Sequence, residues 1–184
     1  MENNYENLVE KKVASEQIYD GVIVKLYRDT VALPDGKPAY REVIRHNGAV
    51  AVLPITDEGD VLCVRQYRYA FDRVTLEIPA GKLDSKDEDH ISAALRELRE
   101  ETGASCSELI YIGDLHPSVA ILDEVIHMYY AKGLTFGEND PDDDEFIEPE
   151  RVPMSKLKQM VLDGEIMDAK TQVAVLKVAA ILGY

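Results

Sequence analysis

Three glutamates, Glu97, Glu100 and Glu101, lie close together in a segment whose pattern predicts a helix over residues 87–102. At about 100° per residue, the three side chains share one face of that helix. The cluster is locally unfavourable, because like charges four residues apart repel and the C-terminal end of a helix disfavours anions. Clustered carboxylate oxygens suit a hard cation such as Mg²⁺, which commonly serves phosphate chemistry. The pattern indicates a divalent-cation site, with a solvated acidic face as the alternative.

The sequence also suggests where this helix begins and ends. Ser85 and Glu88 have the spacing of a capping box, and Gly103 stands where a left-handed C-terminal cap is expected. A neighbouring face is apolar and is expected to pack on the core; it consists of Ile91, Ala94, Leu95 and Leu98. A helix bounded in this way would hold the three carboxylates in fixed positions beside the core.

The elements that must position this helix are mostly strands. Strands are predicted over residues 21–27, 39–45, 48–55, 61–66, 74–78, 109–112 and 125–131. The run 48–55 is almost entirely apolar, which fits a strand buried on both faces. Two further helices are predicted over 155–162 and 168–182, with Ser155 and Asp168 as caps. The mixture predicts an α+β fold, in which a mixed sheet lies between helices and follows a small N-terminal antiparallel β unit.

Composition limits the partners and the number of domains. The 184 residues allow one full domain and a short accessory piece, which we place at 47–184 and 1–46. The net charge of −15 argues against duplex nucleic acid as a ligand, because that affinity comes mostly from lysine and arginine. The acidic, polar N-terminus is unlike a signal peptide, and no apolar run approaches the roughly 18–20 residues of a membrane span. We therefore expect a cytoplasmic protein with no membrane partner.

The segment from Gly81 to Gly103 resembles the signature of the Nudix hydrolase family. That signature is a glycine, five variable residues, glutamate, seven variable residues and then Arg-Glu-apolar-x-Glu-Glu-x-Gly. Residues 96–103 read Arg-Glu-Leu-Arg-Glu-Glu-Thr-Gly, with the seven-residue spacing after Glu88 intact. Six residues instead of five separate Gly81 from Glu88, so that Asp87 or Glu88 can occupy the first acidic position.

The resemblance implies a Nudix-type α/β/α sandwich with Mg²⁺, or Mn²⁺, as cofactor. It makes Glu97, Glu100 and Glu101 metal ligands, together with the backbone carbonyl of Ala80. Glu100 is therefore also placed among the catalytic residues. Arg96 belongs with them and is expected to orient the glutamates rather than touch the substrate.

Segments outside the signature are similar to the ADP-ribose pyrophosphatase branch of the family. They are residues 48–54, 65–68 and 76–81. In that branch, arginines that match Arg68 and Arg41 grip the pyrophosphate, and guanidinium groups do bind phosphate oxygens in pairs. Glu77 is expected to contact the nucleoside or a metal-bound water, with an ion pair as an equal alternative.

Two loops also bear on the chemistry expected from this resemblance. The acidic residues 143–148 are similar to a family segment whose glutamate is the general base, which makes Glu145 the candidate and leaves Asp144 and Glu148 as alternatives. After the signature, Val119 and Ala120 stand where the branch usually has proline and glycine. The first loop supports the chemistry, and the second weakens the assignment of the substrate.

The resemblance as a whole implies Mg²⁺-dependent hydrolysis of ADP-ribose to AMP and ribose 5-phosphate. It also implies a homodimer formed through the N-terminal β unit. The same chemistry on another nucleoside diphosphate derivative, such as GDP-mannose, is the nearest alternative. A non-catalytic Nudix-fold nucleotide sensor is an alternative of a different class, although the intact Glu97, Glu100 and Glu101 argue against it.

Overall fold

The computed structural model describes residues 5–137 and 146–184. Its strands are β1 (Lys11–Asp20), β2 (Lys25–Ala32), β3 (Pro38–Arg45), β4 (Ala49–Pro54), β5 (Asp60–Arg68), β6 (Arg73–Glu77), β7 (Ala80–Lys82), β8 (Ala104–Leu115), β9 (Ile126–Phe136) and β10 (Ile147–Pro153). Its helices are α1 (His90–Thr102), α2 (Met154–Leu162) and α3 (Ala169–Leu182). None of the helices in the described ranges combines the length and the apolar character needed to cross a membrane.

Contacts group the residues into two units. The N-terminal unit contains the residues up to His46 together with Ser118–Glu124, and the second unit contains Asn47–Pro117 and Val125–Tyr184. Within the N-terminal unit, the backbone of Ile44 exchanges hydrogen bonds with Ile121 and Asp123, at N···O distances of 2.7 and 3.1 Å. Nothing in the sequence indicated that this later segment joins the N-terminal strands.

The N-terminal unit is a three-stranded antiparallel sheet in the order β1-β2-β3. The predicted N-terminal antiparallel β unit is confirmed. The strand predicted over 21–27 begins only at Lys25, and Val22 is 95% exposed in the turn before it. Strand β1 was not predicted. All ten of its residues are exposed, so that no alternation of buried and solvated side chains marks it in the sequence.

The second unit contains a four-stranded sheet in the order β7-β4-β9-β8 and a three-stranded antiparallel sheet in the order β10-β5-β6. Strand β4 is parallel to β9, whereas the other pairs are antiparallel, so the sheet is mixed as predicted. Val50 and Val52 of β4 pack with side chains of α1, while Ala51 and Leu53 pack with those of α2 and α3. The predicted burial of this strand on both faces is confirmed, and helices lie on both sides of the sheet.

Helix α1 begins later than the sequence suggested. The Asp89 side chain caps it by accepting a hydrogen bond from the backbone N–H of Ser92 at 2.9 Å. The predicted capping box is wrong, because Glu88 precedes the helix and accepts a hydrogen bond from the backbone N–H of Asp84 at 2.6 Å. The C-terminal cap is confirmed: Gly103 has a φ of 68° and donates to the Arg99 carbonyl at 2.8 Å.

The buried face of α1 differs from the predicted apolar stripe. Ile91 and Leu95 are 50% and 40% exposed, although Ala94 and Leu98 are buried as predicted. Glu97 and Glu101, in contrast, are only 8% and 4% exposed. These two glutamates therefore belong to the packed surface of the helix, and a solvated acidic face does not describe them.

The caps of the other two helices differ in outcome. Asp168 caps α3 as predicted, because its carboxylate accepts a hydrogen bond from the backbone N–H of Thr171 at 2.9 Å. Ser155 does not cap α2. That helix begins at Met154, directly after Pro153, and the residue before it makes no side-chain capping hydrogen bond.

Candidate active site

The short strand β7 lies against the C-terminal half of α1 and meets both buried glutamates. Glu101 Oε2 accepts a hydrogen bond from the backbone N–H of Ala80 at 3.2 Å. The Glu97 carboxylate lies so close to Gly81 that a Cβ atom on residue 81 would be 2.1 Å from Glu97 Cδ. Only glycine leaves room for the carboxylate in this position. We call Glu97, Glu101, Ala80 and Gly81 the α1–β7 cluster.

Arg96 holds the neighbouring carboxylates in place. Its Nη1 donates to Glu97 Oε1 at 2.7 Å and to Glu100 Oε2 at 3.2 Å, and its Nη2 lies 3.4 Å from Glu88 Oε1. Partial burial acts to lower the pKa of Arg96, but the charges of Glu97, Glu100 and Glu88 outweigh it and raise the pKa. The guanidinium is therefore permanently charged, in contact with the glutamates it was expected to orient.

The donor set of the α1–β7 cluster suits a hard divalent cation in its chemistry. Glu97 and Glu101 bring carboxylate oxygens to the same short stretch of β7, and oxygen is the kind of ligand that Mg²⁺ prefers. Glu100 is engaged by Arg96, and its Oε1 lies 3.7 Å from Arg99 Nη2. Among residues 5–137 and 146–184, no three Asp, Glu, His or Cys side chains are arranged to hold a metal ion as they stand.

Arg68, the last residue of β5, forms an ion pair with Glu77, the last residue of the antiparallel strand β6. Arg68 donates from Nε and Nη2 to the two Glu77 oxygens, each at 2.7 Å. Glu77 is only 3% exposed, and Thr75 Oγ1 and Lys170 Nζ also contact its carboxylate. Burial acts to raise the pKa of Glu77, but these hydrogen bonds and the charge of Lys170 lower the pKa to about 2. Of the two roles predicted for Glu77, the structure contains the ion pair.

The remaining predicted residues lie elsewhere in the described chain or outside it. Arg41, in the N-terminal unit, donates from Nε to Glu10 Oε2 at 2.9 Å. Glu145 and Asp144 lie outside the described residues. Glu148 is exposed on β10. Their roles in binding or proton transfer stay predictions.

Sequence reasoning missed Lys170, which stands at the second position of α3 and is 8% exposed. Its ammonium group contacts Glu77 and lies 3.0 Å from Asp168 Oδ1. A lysine in the first turn of a helix faces an unfavourable dipole, and lysine is rarely buried unless it is paired. Asp168-Ala169-Lys170 at the start of an apolar helix was therefore the available signal for a buried ion pair.

Comparison with known proteins identifies the class to which this fold and site belong. The NUDIX domain family matches residues 45–171, and the nucleoside diphosphate sugar hydrolase N-terminal domain family matches residues 10–44. A crystal structure of an ADP compounds hydrolase superposes with a TM-score of 0.84 at 20% identity, and covers 95% of this chain and 94% of that one. The chain therefore belongs to the NUDIX family, and its fold is of the Nudix type.

Two relatives are similar over nearly the whole chain. A methanol dehydrogenase activator of Bacillus methanolicus is 44% identical over 168 residues, which cover 90% of each protein. An ADP-ribose pyrophosphatase of Bacillus subtilis is 42% identical over 171 residues, which cover 92% of each. The protein is thus a NUDIX hydrolase related to an ADP-ribose pyrophosphatase along both of its units.

The contact between Gly81 and Glu97 generates a direct test. Gly81→Ala should displace the Glu97 carboxylate and lower hydrolase activity about a hundredfold, since displacements of about 1 Å near a reacting centre can have this effect. Gly137→Ala is the matched control, because its Cβ would meet nothing closer than the Gly103 carbonyl oxygen at 3.8 Å. Measured hydrolysis rates that are equal in the two variants would show that the enzyme does not depend on this position of Glu97.

Proposed function

We propose that the protein hydrolyses the pyrophosphate bond of ADP-ribose and releases AMP and ribose 5-phosphate, with Mg²⁺ or Mn²⁺ as cofactor. The observation that carries the proposal is the burial of Glu97 and Glu101 against Ala80 and Gly81. Similarity to the Bacillus subtilis ADP-ribose pyrophosphatase over 92% of both proteins supports the choice of substrate.

The proposed metal ligands are Glu97, Glu100, Glu101 and the Ala80 carbonyl. Removing carboxylates from water is costly, and two of them on adjacent turns of one helix also repel each other. A bound divalent cation would offset both costs. The buried carboxylates are therefore better suited to holding a cation than to remaining without one. When bound, Mg²⁺ supplies positive charge that stabilises the charge building on the phosphate oxygens during hydrolysis. Arg96 keeps Glu97 and Glu100 in position beside it.

Arg68 is the proposed ligand of the pyrophosphate group. An arginine side chain has five N–H donors, and Arg68 uses two of them on Glu77, so that three remain for phosphate oxygens. The side chain is 41% exposed, which leaves room for a ligand. Arg41 is the proposed second arginine, and Glu145 the proposed general base that takes a proton from the attacking water. In this account Glu77 acts by holding Arg68.

A substrate panel tests the proposal. With Mg²⁺ present, ADP-ribose should have a higher kcat/KM than GDP-mannose and NADH, and AMP should appear among its products. The reason is the similarity to the ADP-ribose pyrophosphatase along both units of the chain. If GDP-mannose exceeds ADP-ribose by about tenfold or more, a different substrate pocket is indicated. Absence of hydrolysis with every substrate would instead favour the sensor.

We also propose that residues 1–46 form the dimerisation unit and that residues 47–184 form the hydrolase domain. Strand β1 is exposed at all ten residues, and its apolar side chains Val13, Ile18 and Tyr19 are 68%, 47% and 59% exposed. A small sheet with this much exposed apolar surface gains from a partner. Light scattering at micromolar concentration should therefore give about twice the mass of one chain. A fully active monomer would refute the homodimer.

A further inference from the structure

We propose that Lys170 is a positioning residue that acts through Glu77 to keep Arg68 oriented and available for a pyrophosphate group. Lys170 belongs to α3, whereas Arg68 and Glu77 belong to the β5–β6 pair. The inference rests on the proposed role of Arg68, and it adds a residue that touches neither the pyrophosphate nor the α1–β7 cluster.

The Glu77 carboxylate is the link, because its hydrogen-bonding capacity is fully used. Oε1 is contacted by Arg68 Nε and Thr75 Oγ1, and Oε2 by Arg68 Nη2 and Lys170 Nζ. A carboxylate has about four acceptor positions, so these contacts saturate it. The position of the Arg68 guanidinium is consequently determined by a carboxylate that Lys170 and Thr75 hold from the other side.

Charge gives Lys170 a second effect on Arg68. Two cations, Arg68 and Lys170, face two carboxylates, Glu77 and Asp168, in this network. Without Lys170, the network would carry an excess negative charge beside the guanidinium that is to bind a polyanion. Glu77 would then be neutralised by Arg68 alone, which weakens the attraction between Arg68 and phosphate oxygens.

Hydrogen bonds fasten the start of α3, which carries Lys170. Asp168 accepts hydrogen bonds from the N–H and hydroxyl groups of Thr171, and Thr171 Oγ1 in turn accepts one from the backbone N–H of Ile78 at 2.9 Å. Ile78 directly follows Glu77, so the first turn of α3 is fastened to the same stretch of chain that presents Glu77. Lys170 is therefore held at both ends, by its helix and by the carboxylate that it orients.

The test compares Lys170→Met with Lys177→Met, which removes an identical charge from an exposed position of the same helix. Lys170→Met should raise the KM for ADP-ribose about tenfold, since this is the effect of losing one charged hydrogen bond, while kcat changes by less than about threefold. Lys177→Met should leave both constants near their wild-type values. Lys170→Arg, which keeps the positive charge, should have a KM much closer to the wild-type value than Lys170→Met. If Lys170→Met does not fold, Lys170→Gln replaces it with the same expected rise in KM.

A double-mutant cycle with Arg68→Gln separates a positioning role from a merely structural one. If Lys170 acts through Arg68, its substitution should have almost no further effect on KM once Arg68 is absent. Effects that multiply in the double variant, or a lower melting temperature with an unchanged KM, would overturn the proposal.

Binding of inorganic pyrophosphate, measured by calorimetry in the presence of Mg²⁺, tests the role of Lys170 with a ligand that has no nucleoside. Lys170→Met should weaken this binding about tenfold relative to wild type and to Lys177→Met. If the wild-type protein binds pyrophosphate in this way but does not hydrolyse ADP-ribose, the proposed substrate is wrong while the role of Lys170 stands. If pyrophosphate binds equally well to wild type and Lys170→Met, or does not bind at all, the role of Lys170 is refuted.

Discussion

The close packing of the Glu97 and Glu101 carboxylates against Ala80 and Gly81 is the contact on which the rest of the site depends. Taking a carboxylate out of water costs several kcal/mol unless hydrogen bonds or opposite charge offset it. That requirement explains the glycine at position 81, where a Cβ would collide with Glu97, and the backbone N–H of Ala80 directed at Glu101. It also explains why α1 must end in a fixed place, because a shift of one residue would rotate both carboxylates away from β7.

A second electrostatic network complements the first within the same unit. The hydrogen bond to Glu77 raises the pKa of Arg68 despite its partial burial, and the negative charges of Glu77, Asp168 and Glu101 add to this rise. Arg68 therefore stays charged and lies within the field of the α1–β7 cluster. Carboxylates that attract a cation and an arginine that attracts phosphate together suit the two charged components of a metal–pyrophosphate complex.

Much of the fold could be predicted because the second unit has a well-marked core. The apolar run of β4, the caps at Asp168 and Gly103 and the mixed sheet all follow from residue types along one stretch of chain. Elements without such a mark were missed: β1 is exposed at every residue, β7 spans only Ala80–Lys82, and β10 follows a run of acidic residues in the sequence. The glutamates proposed as metal ligands were singled out from their spacing, but Lys170 was not, because its partner Glu77 is distant in sequence and meets it only after the sheet and α3 have packed.

The most direct test of the α1–β7 cluster as the catalytic cation site is Glu101→Gln, which keeps the shape of the side chain and removes its charge. Loss of a metal ligand should lower kcat/KM at saturating Mg²⁺ by about a thousandfold or more, since positioned metal charge contributes several kcal/mol. Relief of repulsion with Glu97 should leave the metal-free melting temperature unchanged or slightly higher. Glu108→Gln, on the exposed part of β8, is the control and should change neither quantity. A Glu101→Gln enzyme with kcat/KM within about tenfold of wild type would contradict the assignment of Glu101 as a metal ligand.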